Sequence, residues 1–505
     1  MREAGTWSHQ NTDMVGSRVP VWVKPVMTAE NSDMLANLSS AYDYYKLFQP
    51  ASFAEEIVYQ SKLYAVQKDK KQALEVMNID TYRCTEAMLL HSGYHTVPRR
   101  WMLWQQKADC YNQLVAENIR RREVDAVLSC LHFRDNSNID EDGYYKVRPI
   151  FQNLNKCCSR WTQTDVGVYS VHESMIPYYG RHSSKQYIRG KPVRYGYKVW
   201  SLCSADGSGV WFEPYCGRHT LIEDKGLGQG PNVVLDLVAK AKLSPGSEVC
   251  FDNLFTSFPL LDKLSEMEIG GTGTVRQNRL NRVPIMKKKD LEKKTVDRGT
   301  SHVVYREDQV VVAWKDSKAV YVASNKHHAD ISQSCRRYCR VTKKDIAVPI
   351  PDMIRQYNSG MGGVDLLDNM VAVYRVPYRI KKWWFPIYTW SLSVSAVNAW
   401  RMRMKVTGKK EPFLDFLREL VIDMFTTHGT PPQFRRRPSS VSPDIRLDGL
   451  NHWICGTEVG NGGYAKRRNC KQCTKEGRKD NKTVFMCEKC AVPLHTNCFK
   501  KYHTE

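Results

Sequence analysis

Residues 451–505 carry a spacing of cysteines and histidines that limits how this part of the chain can fold. Two C-x2-C pairs are followed by further metal-ligand side chains, giving seven candidates: Cys470, Cys473, Cys487, Cys490, His495, Cys498 and His503. A thiolate pair on a tight turn supplies two of the four tetrahedral positions around Zn²⁺. Two four-ligand sites need an eighth side chain, and His452 and Cys455 are both candidates. The pattern therefore predicts a module that binds two Zn²⁺ ions.

The order of these ligands predicts a cross-brace, in which successive ligand pairs alternate between the two metal ions. The segment has few large aliphatic residues, so metal binding would supply most of its folding free energy. The competing interpretation is a set of reduced thiols on a basic tail. The other ten of the 16 cysteines are scattered without a pattern, which is typical of free thiols in a reducing compartment.

The balance of charged residues narrows the class of partner. The 505-residue chain has 75 Lys and Arg against 53 Asp and Glu, a formal net charge of +22. Such a surplus favours a polyanionic partner, usually nucleic acid, with an anionic membrane surface as the alternative. The sequence has no uninterrupted apolar run of membrane-spanning length and no apolar run near its N-terminus. We therefore expect neither a membrane span nor a secretion signal.

Composition and periodicity predict a mixed α/β multidomain chain. A polar tail precedes a segment whose apolar residues recur every three or four positions, as in helices. Strands with alternating apolar residues, separated by Gly and Ser, begin near residue 167. The predicted segments are a disordered tail at 1–34, a helical N-terminal domain at 35–131, three stretches of strands and helices at 132–246, 247–370 and 371–427, a linker rich in Pro, Ser and Arg at 428–450, and the Cys/His-rich module at 451–505.

Carboxylates follow two of the predicted strands and begin one predicted helix. Asp252 ends the strand SEVCFDN, and Asp330 lies beyond the strand AVYVASN. Asp365 and Asp368 share one face of a helix, because they are three residues apart. Carboxylates at neighbouring strand ends and on a helix are what a two-Mg²⁺ phosphoryl-transfer site needs. The competing interpretation is chance, because helix N-termini favour Asp and the chain has many other acids.

Basic and aromatic residues are most densely mixed at residues 374–384. Arg and Lys can contact phosphates while aromatic rings stack on bases or sugars. A solvated helix face with a hydrophobic anchor is the alternative interpretation, and the net charge favours DNA. Further basic runs lie at 287–289, 293–294 and 435–437.

Several motifs resemble the piggyBac transposase family over residues 34–505. They are FDNLFTS (251–257), GTGTVRQNR (271–279), GGVDLLDNM (362–370), HESMIPYYGR (172–181), GKPVRYGYKVW (190–200) and the Cys/His tail. The resemblance implies a DDE/D transposase with an RNase H-like catalytic domain at 247–370, a split DNA-binding domain around it and a C-terminal cross-brace zinc finger. The implied cofactors are two catalytic Mg²⁺ and two structural Zn²⁺.

The resemblance also implies catalytic roles for particular acids. Asp252 matches the first catalytic acid and Asp365 the third, with Asp368 beside it as a further metal ligand. The second acid is expected after the fourth strand, where Asp330 fits. Asp316, in the turn of WKDSK, is the alternative. The RNase H-like fold disfavours Asp316, because it brings the catalytic carboxylates together at the carboxyl ends of adjacent strands.

The sequence departs from the family's pattern at three places. The family commonly has Asp-Glu where this chain has His172-Glu173, a position expected in the DNA-binding region and therefore away from catalysis. His495 stands where a Cys is usual, which zinc tolerates. The segment from Asp330 to Asp365 is short, so the insertion domain of some relatives is expected to be reduced here.

Two functions are compatible with these motifs. The first is a nuclear, homodimeric, transposase-derived protein that binds double-stranded DNA and uses Mg²⁺ to cut and transfer strands. The second is a domesticated, non-catalytic DNA- or chromatin-binding protein, with chromatin proteins as further partners. The apparently complete acid set favours retained chemistry without proving it, and we expect no membrane association.

Overall fold

The computed structural model describes residues 7–8, 34–161, 166–340, 342–430, 443–459, 463–478 and 481–504. Most of the tail predicted at 1–34 lies outside these ranges, as do residues 431–442 of the predicted linker and the basic run at 435–437. Contacts divide the chain into two units, which we describe separately: residues 1–96 with 126–427, and residues 97–125 with 428–505.

Strands fall in both units. The first unit contains β1 (Val168–Pro177), β2 (Lys185–Tyr187), β3 (Tyr195–Ser204), β4 (Gly209–Pro214), β5 (Glu248–Phe251), β6 (Gly270–Thr274), β7 (Ser301–Arg306), β8 (Gln309–Lys315), β9 (Ala319–Ser324), β10 (Gln333–Cys339) and β11 (Lys344–Ile350). The second contains β12 (Ile454–Gly456), β13 (Arg468–Asn469), β14 (Lys482–Thr483), β15 (Phe485–Cys487) and β16 (Val492–Pro493).

The α-helices in chain order are α1 (Ala41–Lys46), α2 (Ala51–Gln67), α3 (Lys71–Val76), α4 (Ile79–His91), α5 (Gln113–Ala116), α6 (Arg121–Cys130), α7 (Arg148–Ser159), α8 (Gln229–Ala241), α9 (Phe258–Glu266), α10 (Lys288–Leu291), α11 (Asp352–Gly360), α12 (Gly363–Val373), α13 (Phe385–Thr407), α14 (Phe413–His428), α15 (Pro443–Arg446), α16 (Lys471–Lys475) and α17 (Thr496–Thr504). Short 3-10 turns occur at Arg100–Trp104, Asn136–Asn138, Tyr145–Val147, Gly217–His219 and Gln277–Leu280.

Strands β1 to β9 form one mixed sheet. The order is β2-β3-β1-β5-β6-β9-β8-β7, with β4 beside β3. The central strands β1, β5 and β6 are parallel, whereas β3 and β9 run antiparallel to their central neighbours. All four residues of β5 are buried, as is typical of a parallel strand covered on both faces. The domain boundary predicted at 246/247 therefore falls inside a continuous sheet.

Helices α8 and α9 cover one face of this sheet. Their apolar residues pack with Val171, Trp200 and Phe251 in the larger hydrophobic cluster. Ser257 starts α9 by accepting a hydrogen bond from the Leu260 N–H group, as N-cap serines do.

The opposite face of the sheet carries α12 and the long helix α13. Asn398 of α13 is buried and joined to β4, because its amide donates to the Gly209 carbonyl at 2.9 Å and accepts from the Gly209 N–H group at 2.8 Å. One turn earlier in α13, Ser395 accepts a hydrogen bond from the Gln49 amide at 2.9 Å. Most of α13 is buried, so it links the N-terminal helices to the sheet.

Strands β10 and β11 form a separate two-stranded antiparallel ribbon. Val348 and Ile350 near its base pack with Val312 and Trp314 of β8 in a second hydrophobic cluster. The hairpin predicted around WKDSK is confirmed as β8 and β9.

The second unit contains two small sheets, β12-β15-β16 and β13-β14. Its buried cluster consists mainly of cysteines packed with Leu494 and Tyr502. Across the described part of the chain, no helix combines the length and apolar content that a membrane span requires.

Candidate functional site

The first candidate site begins where β1 and β5 leave their parallel pairing. Val171 is paired with Phe251, so the next residues, His172 and Asp252, stand level on adjacent strands. The His172 Nε2 atom lies 3.8 Å from Asp252 Oδ2. Ligands of α/β sheets bind outside the carboxyl ends of parallel strands, and Asp252 occupies such an end.

Helix α12 lies close against the sheet beside this edge. Its residue Gly363 permits the approach, because a Cβ atom there would overlap the carbonyl oxygen of Ser204. The Val364 N–H group donates to Ser170 Oγ of β1 at 3.1 Å. Gly363 of the GGVD motif therefore seats the start of an acid-bearing helix on the central strand.

The same helix brings Asp365 and Asp368 to β1. The Ser174 hydroxyl lies near the Asp368 carboxylate and lowers its pKa, and Ser174 shares a face of β1 with His172 because alternate strand residues point the same way. Asp365 and Asp368 therefore lie near the face of β1 that also carries His172. His172 in turn is the neighbour of Asp252. We call Asp252, Asp365 and Asp368 the acidic site.

Burial and the neighbouring Asp365 carboxylate raise the pKa of Asp368 to about 7, although the Ser174 hydroxyl and the Lys191 charge act in the opposite direction. Burial and a second carboxylate nearby both disfavour the ionised form of a carboxylate such as Asp368. A bound cation would relieve this repulsion, so the pair is suited to hold positive charge.

The loop after β5 is held in place by its own motif. Asp252 Oδ1 accepts the Leu254 N–H group at 2.7 Å, and Thr256 Oγ1 donates to the Asp252 carbonyl at 2.9 Å. After β6, Arg276 Nε donates to Asn253 Oδ1 at 2.8 Å, and Arg279 donates to the Thr256 carbonyl. The FDNLFTS and GTGTVRQNR motifs therefore position Asp252 together.

A histidine and a lysine enter the acidic site. His172 Nδ1 accepts the Glu173 backbone N–H group at 2.8 Å and lies 3.1 Å from Lys191 Nζ. Two donors, the Glu173 N–H group and the Lys191 ammonium group, face Nδ1, an arrangement that favours the tautomer with its proton on Nε2, the nitrogen that faces Asp252. In that tautomer Nε2 offers no lone pair to a metal ion.

The structure corrects the position expected for His172-Glu173. These residues were expected outside the catalytic region, but β1 is a central strand of the sheet and His172 contacts Asp252. The departure from the family's Asp-Glu therefore lies within the acidic site. The sequence showed that His172-Glu173 departs from the family's motif. Only the register of β1 with β5 shows that this departure lies beside Asp252.

The structure also corrects the expected position of Asp330. Strand β9 is antiparallel to β6, and its last residue, Ser324, is paired with Thr272. The chain then continues to His327, whose Nε2 atom lies 2.6 Å from Glu248 Oε1 at the amino end of β5. Asp330 follows at that opposite edge of the sheet, so the structure does not bring it to the acidic site.

Asp316, the alternative second acid, is engaged elsewhere. Its carboxylate accepts hydrogen bonds from Arg298 and Arg337, the latter at 3.0 Å. Although partial burial would raise the pKa of Asp316, these two guanidinium groups lower it. Asp316 therefore joins the β8–β9 turn to the β10–β11 ribbon.

The basic and aromatic residues at 374–384 form an extended segment and not a helix. Arg375, Arg379 and Lys381 are exposed, and we call these three side chains the basic stripe. The stripe lines a cavity of about 810 Å³ together with Asp365 and Asp368. Cations and acids thus meet in one concave surface.

The tryptophans of this segment pack within the protein. Trp383 packs against the His182 ring with centroids 4.2 Å apart, and Trp384 packs edge-on against Phe133 at 5.2 Å. The prediction that aromatic residues here stack on bases therefore does not extend to these two rings, which anchor the segment and leave its cations exposed.

The second candidate site lies in the second unit, where the eight side chains predicted as zinc ligands form two clusters. One cluster contains Cys470, Cys473, His495 and Cys498, and the other contains His452, Cys487, Cys490 and His503. Within each cluster the ligand atoms all lie within 4.8 Å of one another. The two clusters alternate along the chain. Cys455, the other candidate for the eighth position, lies outside both, with Sγ 3.6 Å from the Met486 carbonyl.

Each histidine of the clusters uses one ring nitrogen outside the cluster. His452 Nε2 lies 2.9 Å from Asp448 Oδ1, His495 Nε2 lies 3.1 Å from the Lys482 carbonyl, and His503 Nδ1 lies 3.0 Å from the Arg446 carbonyl. Such outer contacts fix the tautomer of metal-binding histidines. His503 Nε2 is buried and has no hydrogen-bond partner among the described residues, which fits a nitrogen that awaits a metal ion.

The thiols of the Cys/His clusters lie close together, and a bound cation would reduce the repulsion between them when they ionise. Burial and the neighbouring thiols Cys473 and Cys470 raise the pKa of Cys498 to about 12. Burial alone would also raise that of Cys470, but N–H groups of Cys473 and His495 direct hydrogen bonds to its sulfur and lower its pKa to about 7. Both clusters could therefore hold metal ions.

Known proteins match most of this chain. A sequence model of the family described as Transposase IS4 matches residues 40–400. The Homo sapiens protein PiggyBac transposable element-derived protein 3 is 38% identical over 496 residues, which cover 96% of this chain and 80% of that protein. PiggyBac transposable element-derived protein 2, also from Homo sapiens, is 30% identical over 476 residues, covering 93% and 77% of the two chains.

A solved structure described as a piggyBac transposase synaptic complex with hairpin DNA shares the fold. The TM-score is 0.68 at 20% identity, covering 94% of this chain and 99% of that chain. A mixed sheet with an acid-bearing edge and these matches define a chain of the transposase class. It belongs to the piggyBac transposase family, which confirms the resemblance drawn from the motifs.

Proposed function

We propose that this transposase-derived chain binds double-stranded DNA in the nucleus. The observation that carries the proposal is the basic stripe, whose three cations face the cavity that contains Asp365 and Asp368. The net charge of +22 supports the same class of partner, and the solved neighbour of the same fold is a complex with DNA. The predicted homodimer and chromatin partners stay predictions.

Affinity for duplex DNA is expected to fall steeply as salt rises, because cations that contact phosphates release counterions. Replacing Arg379 and Lys381 together with Ala should weaken binding by about ten-fold at physiological salt and reduce the salt slope by about two. Fluorescence anisotropy with a labelled duplex at several salt concentrations measures both quantities.

The matched control is the double variant Lys62→Ala and Lys68→Ala, which removes the same charge from exposed positions at the end and outer face of α2. It should retain nearly the affinity of the parent chain. A parent affinity that does not depend on salt would overturn the DNA-binding proposal, since phosphate contacts would then contribute little.

A second candidate function is metal-dependent strand cleavage on an RNase H-like core. The observation that favours it is the acidic site, whose carboxylates at a strand end and on α12 suit Mg²⁺. In a two-metal site such ions would activate the attacking oxygen and stabilise the leaving one. Asp252, Asp365 and Asp368 are not among the described groups whose ligand atoms lie within 4.8 Å of one another, so a cation would have to draw Asp252 towards the other two. Glu173 of β1 lines the same cavity as Asp365 and Asp368, whereas His172 places an imidazole beside Asp252.

Cation binding at the acidic site is expected to depend on Asp252 and Asp365 and not on Asp330. Either Asp252→Asn or Asp365→Asn should weaken Mn²⁺ binding by about ten-fold or more, because each removes a charge from the ligand set. Electron paramagnetic resonance titration of the full chain measures free Mn²⁺ directly.

Asp330→Asn and Asp316→Asn serve as matched controls, because they make the same chemical change at acids that lie away from the acidic site. Both should keep the parent affinity for Mn²⁺. Loss of binding in Asp330→Asn together with parent-like binding in Asp252→Asn would reverse this assignment.

We further propose that the metal of both Cys/His clusters is Zn²⁺ and that its role is structural. Thiolate and imidazole ligands in sets of four suit tetrahedral Zn²⁺, and the alternation of the clusters along the chain makes the module a cross-brace.

A further inference from the structure

The ribbon of β10 and β11 has a charge that the acidic site does not explain. Between residues 333 and 350 it carries five cations and one carboxylate: Arg336, Arg337, Arg340, Lys343, Lys344 and Asp345. The ribbon is not part of the nine-stranded sheet. So large a positive charge on one short ribbon indicates a role other than solubility.

One face of the ribbon is used to anchor it. Arg337 of this face donates to Asp316 at 3.0 Å, while Val348 is buried against β8 in the second hydrophobic cluster. Trp314 Nε1 also donates to the Pro349 carbonyl at 2.9 Å. These contacts fix the direction in which the ribbon projects, so that its other face is presented on a rigid base.

The other face is open. The Arg336 side chain is 84% exposed, and Tyr338 is 59% exposed. Arg336 is paired across the ribbon with the small residue Ala347, so no bulky neighbour covers it. Its ion pair with Asp345 at 2.5 Å is itself exposed, and exposed pairs contribute little to stability. The guanidinium group can therefore leave this partner at small cost.

We infer that the exposed face of this ribbon enters the major groove of duplex DNA. A two-stranded antiparallel ribbon fits that groove, which is about 12 Å wide. Arg336 would reach base edges, and the cations towards the turn would contact the flanking phosphates. The net positive charge of the ribbon complements the polyanion. This inference rests on the proposed DNA binding and adds an element that the basic stripe does not include.

The test uses the full chain with Arg336 and Arg340 both changed to Ala. Both side chains are exposed, so the variant should fold normally, and a thermal melt checks this. Affinity for duplex DNA should fall about ten-fold at physiological salt, with the salt slope reduced by about two. The double variant Lys62→Ala and Lys68→Ala removes equal charge and should bind like the parent.

A duplex whose cytosines are replaced by glucosylated 5-hydroxymethylcytosine tests the groove, because the sugars fill the major groove and leave the phosphates unchanged. The parent chain should bind this duplex about as weakly as the ribbon variant binds ordinary DNA. Equal affinity of the parent for both duplexes would overturn the major-groove assignment.

The outcomes separate this inference from the function on which it rests. If the basic-stripe variant loses affinity and the ribbon variant does not, DNA binding stands and the ribbon inference is wrong, which would leave the ribbon for another acidic partner. If the parent chain shows no salt-sensitive binding to DNA, both fail.

Discussion

His172→Asp is expected to strengthen divalent-cation binding at the acidic site by about 100-fold. The change removes an imidazole whose Nε2 atom lies 3.8 Å from Asp252 Oδ2 and places a carboxylate on the same face of β1. At a separation of about 4 Å, two unit charges interact by about 4 kcal/mol when the effective dielectric constant is ~20. Desolvation and ordering of the new ligand oppose part of this gain, which leaves about two orders of magnitude in affinity.

The measurement is Mn²⁺ titration of the full chain, followed by a cleavage assay on a duplex that carries the matched terminal repeat. With a carboxylate at position 172, beside Asp252, a second cation gains a ligand, so Mg²⁺-dependent strand cleavage should exceed that of the parent chain. His219→Asp makes the same change at an exposed histidine away from the site and should alter neither quantity.

An unchanged Mn²⁺ affinity in His172→Asp would contradict the argument, because it would mean that the β1 position does not face the cation. Strong cleavage by the parent chain would contradict it from the other side. In that case the acids at hand suffice, and His172 is compatible with catalysis.

Local patterns in the sequence were enough to predict much of the sheet. The period-two pattern that begins near residue 167 predicted strands where β1 lies, and the segments SEVCFDN and AVYVASN predicted β5 and β9. These features depend on residues that are close in sequence, because the spacing of apolar residues and the presence of turn-forming residues determine strands and turns locally. The placement of Asp252 at a strand end and of Asp365 on a helix followed from the same local signals.

The position of Asp330 depended on information that local patterns do not contain. An acid after a strand lies at one edge of a sheet or the other according to the strand's direction. Strand β9 runs antiparallel to β6, which carries the chain towards the amino ends of β5 and β6 and leaves Asp330 at the start of α11, where its carbonyl accepts the Asp352 N–H group. Direction is set by the connection through β7 and β8, and no residue near Asp330 encodes it.

The role of His172 depended on register. Whether a residue of β1 stands beside Asp252 is decided by pairing between strands that are about 80 residues apart in sequence, as with Val171 and Phe251. One residue of slippage would turn the histidine to the other face of the sheet. The motif departure was visible in the sequence, but its location in the acidic site was not.

The β10–β11 ribbon was missed for a different reason. Strand prediction relies on alternation between apolar and polar residues, and β10 has exposed or half-buried positions throughout. Its order comes from cross-strand pairing and from the anchor between Arg337 and Asp316. Both are contacts between separate segments, and the spacing of apolar residues within either segment does not predict them.

Removing metal from the Cys/His module is expected to unfold it while the rest of the chain stays folded. Structural Zn²⁺ in small modules contributes roughly 10–16 kcal/mol of binding free energy, which becomes folding free energy when the apo form has little core. The described core of this module consists mainly of the cysteines themselves, with Leu494 and Tyr502. Metal analysis of the full chain should give about two Zn²⁺, as two four-ligand sites require, and chelation should make residues 451–505 sensitive to protease.

Cys487→Ser provides the sharper form of this experiment, because Cys487 belongs to one cluster and the alternating order ties that cluster to the other. The variant should lose at least one Zn²⁺ and become sensitive to protease near the C-terminus. Cys455→Ser is the matched control, since Cys455 lies on the strand paired with Cys487 but outside both clusters, and it should keep both ions. A module that resists protease after complete chelation would show that packing alone folds it, and the structural role proposed for zinc would be wrong.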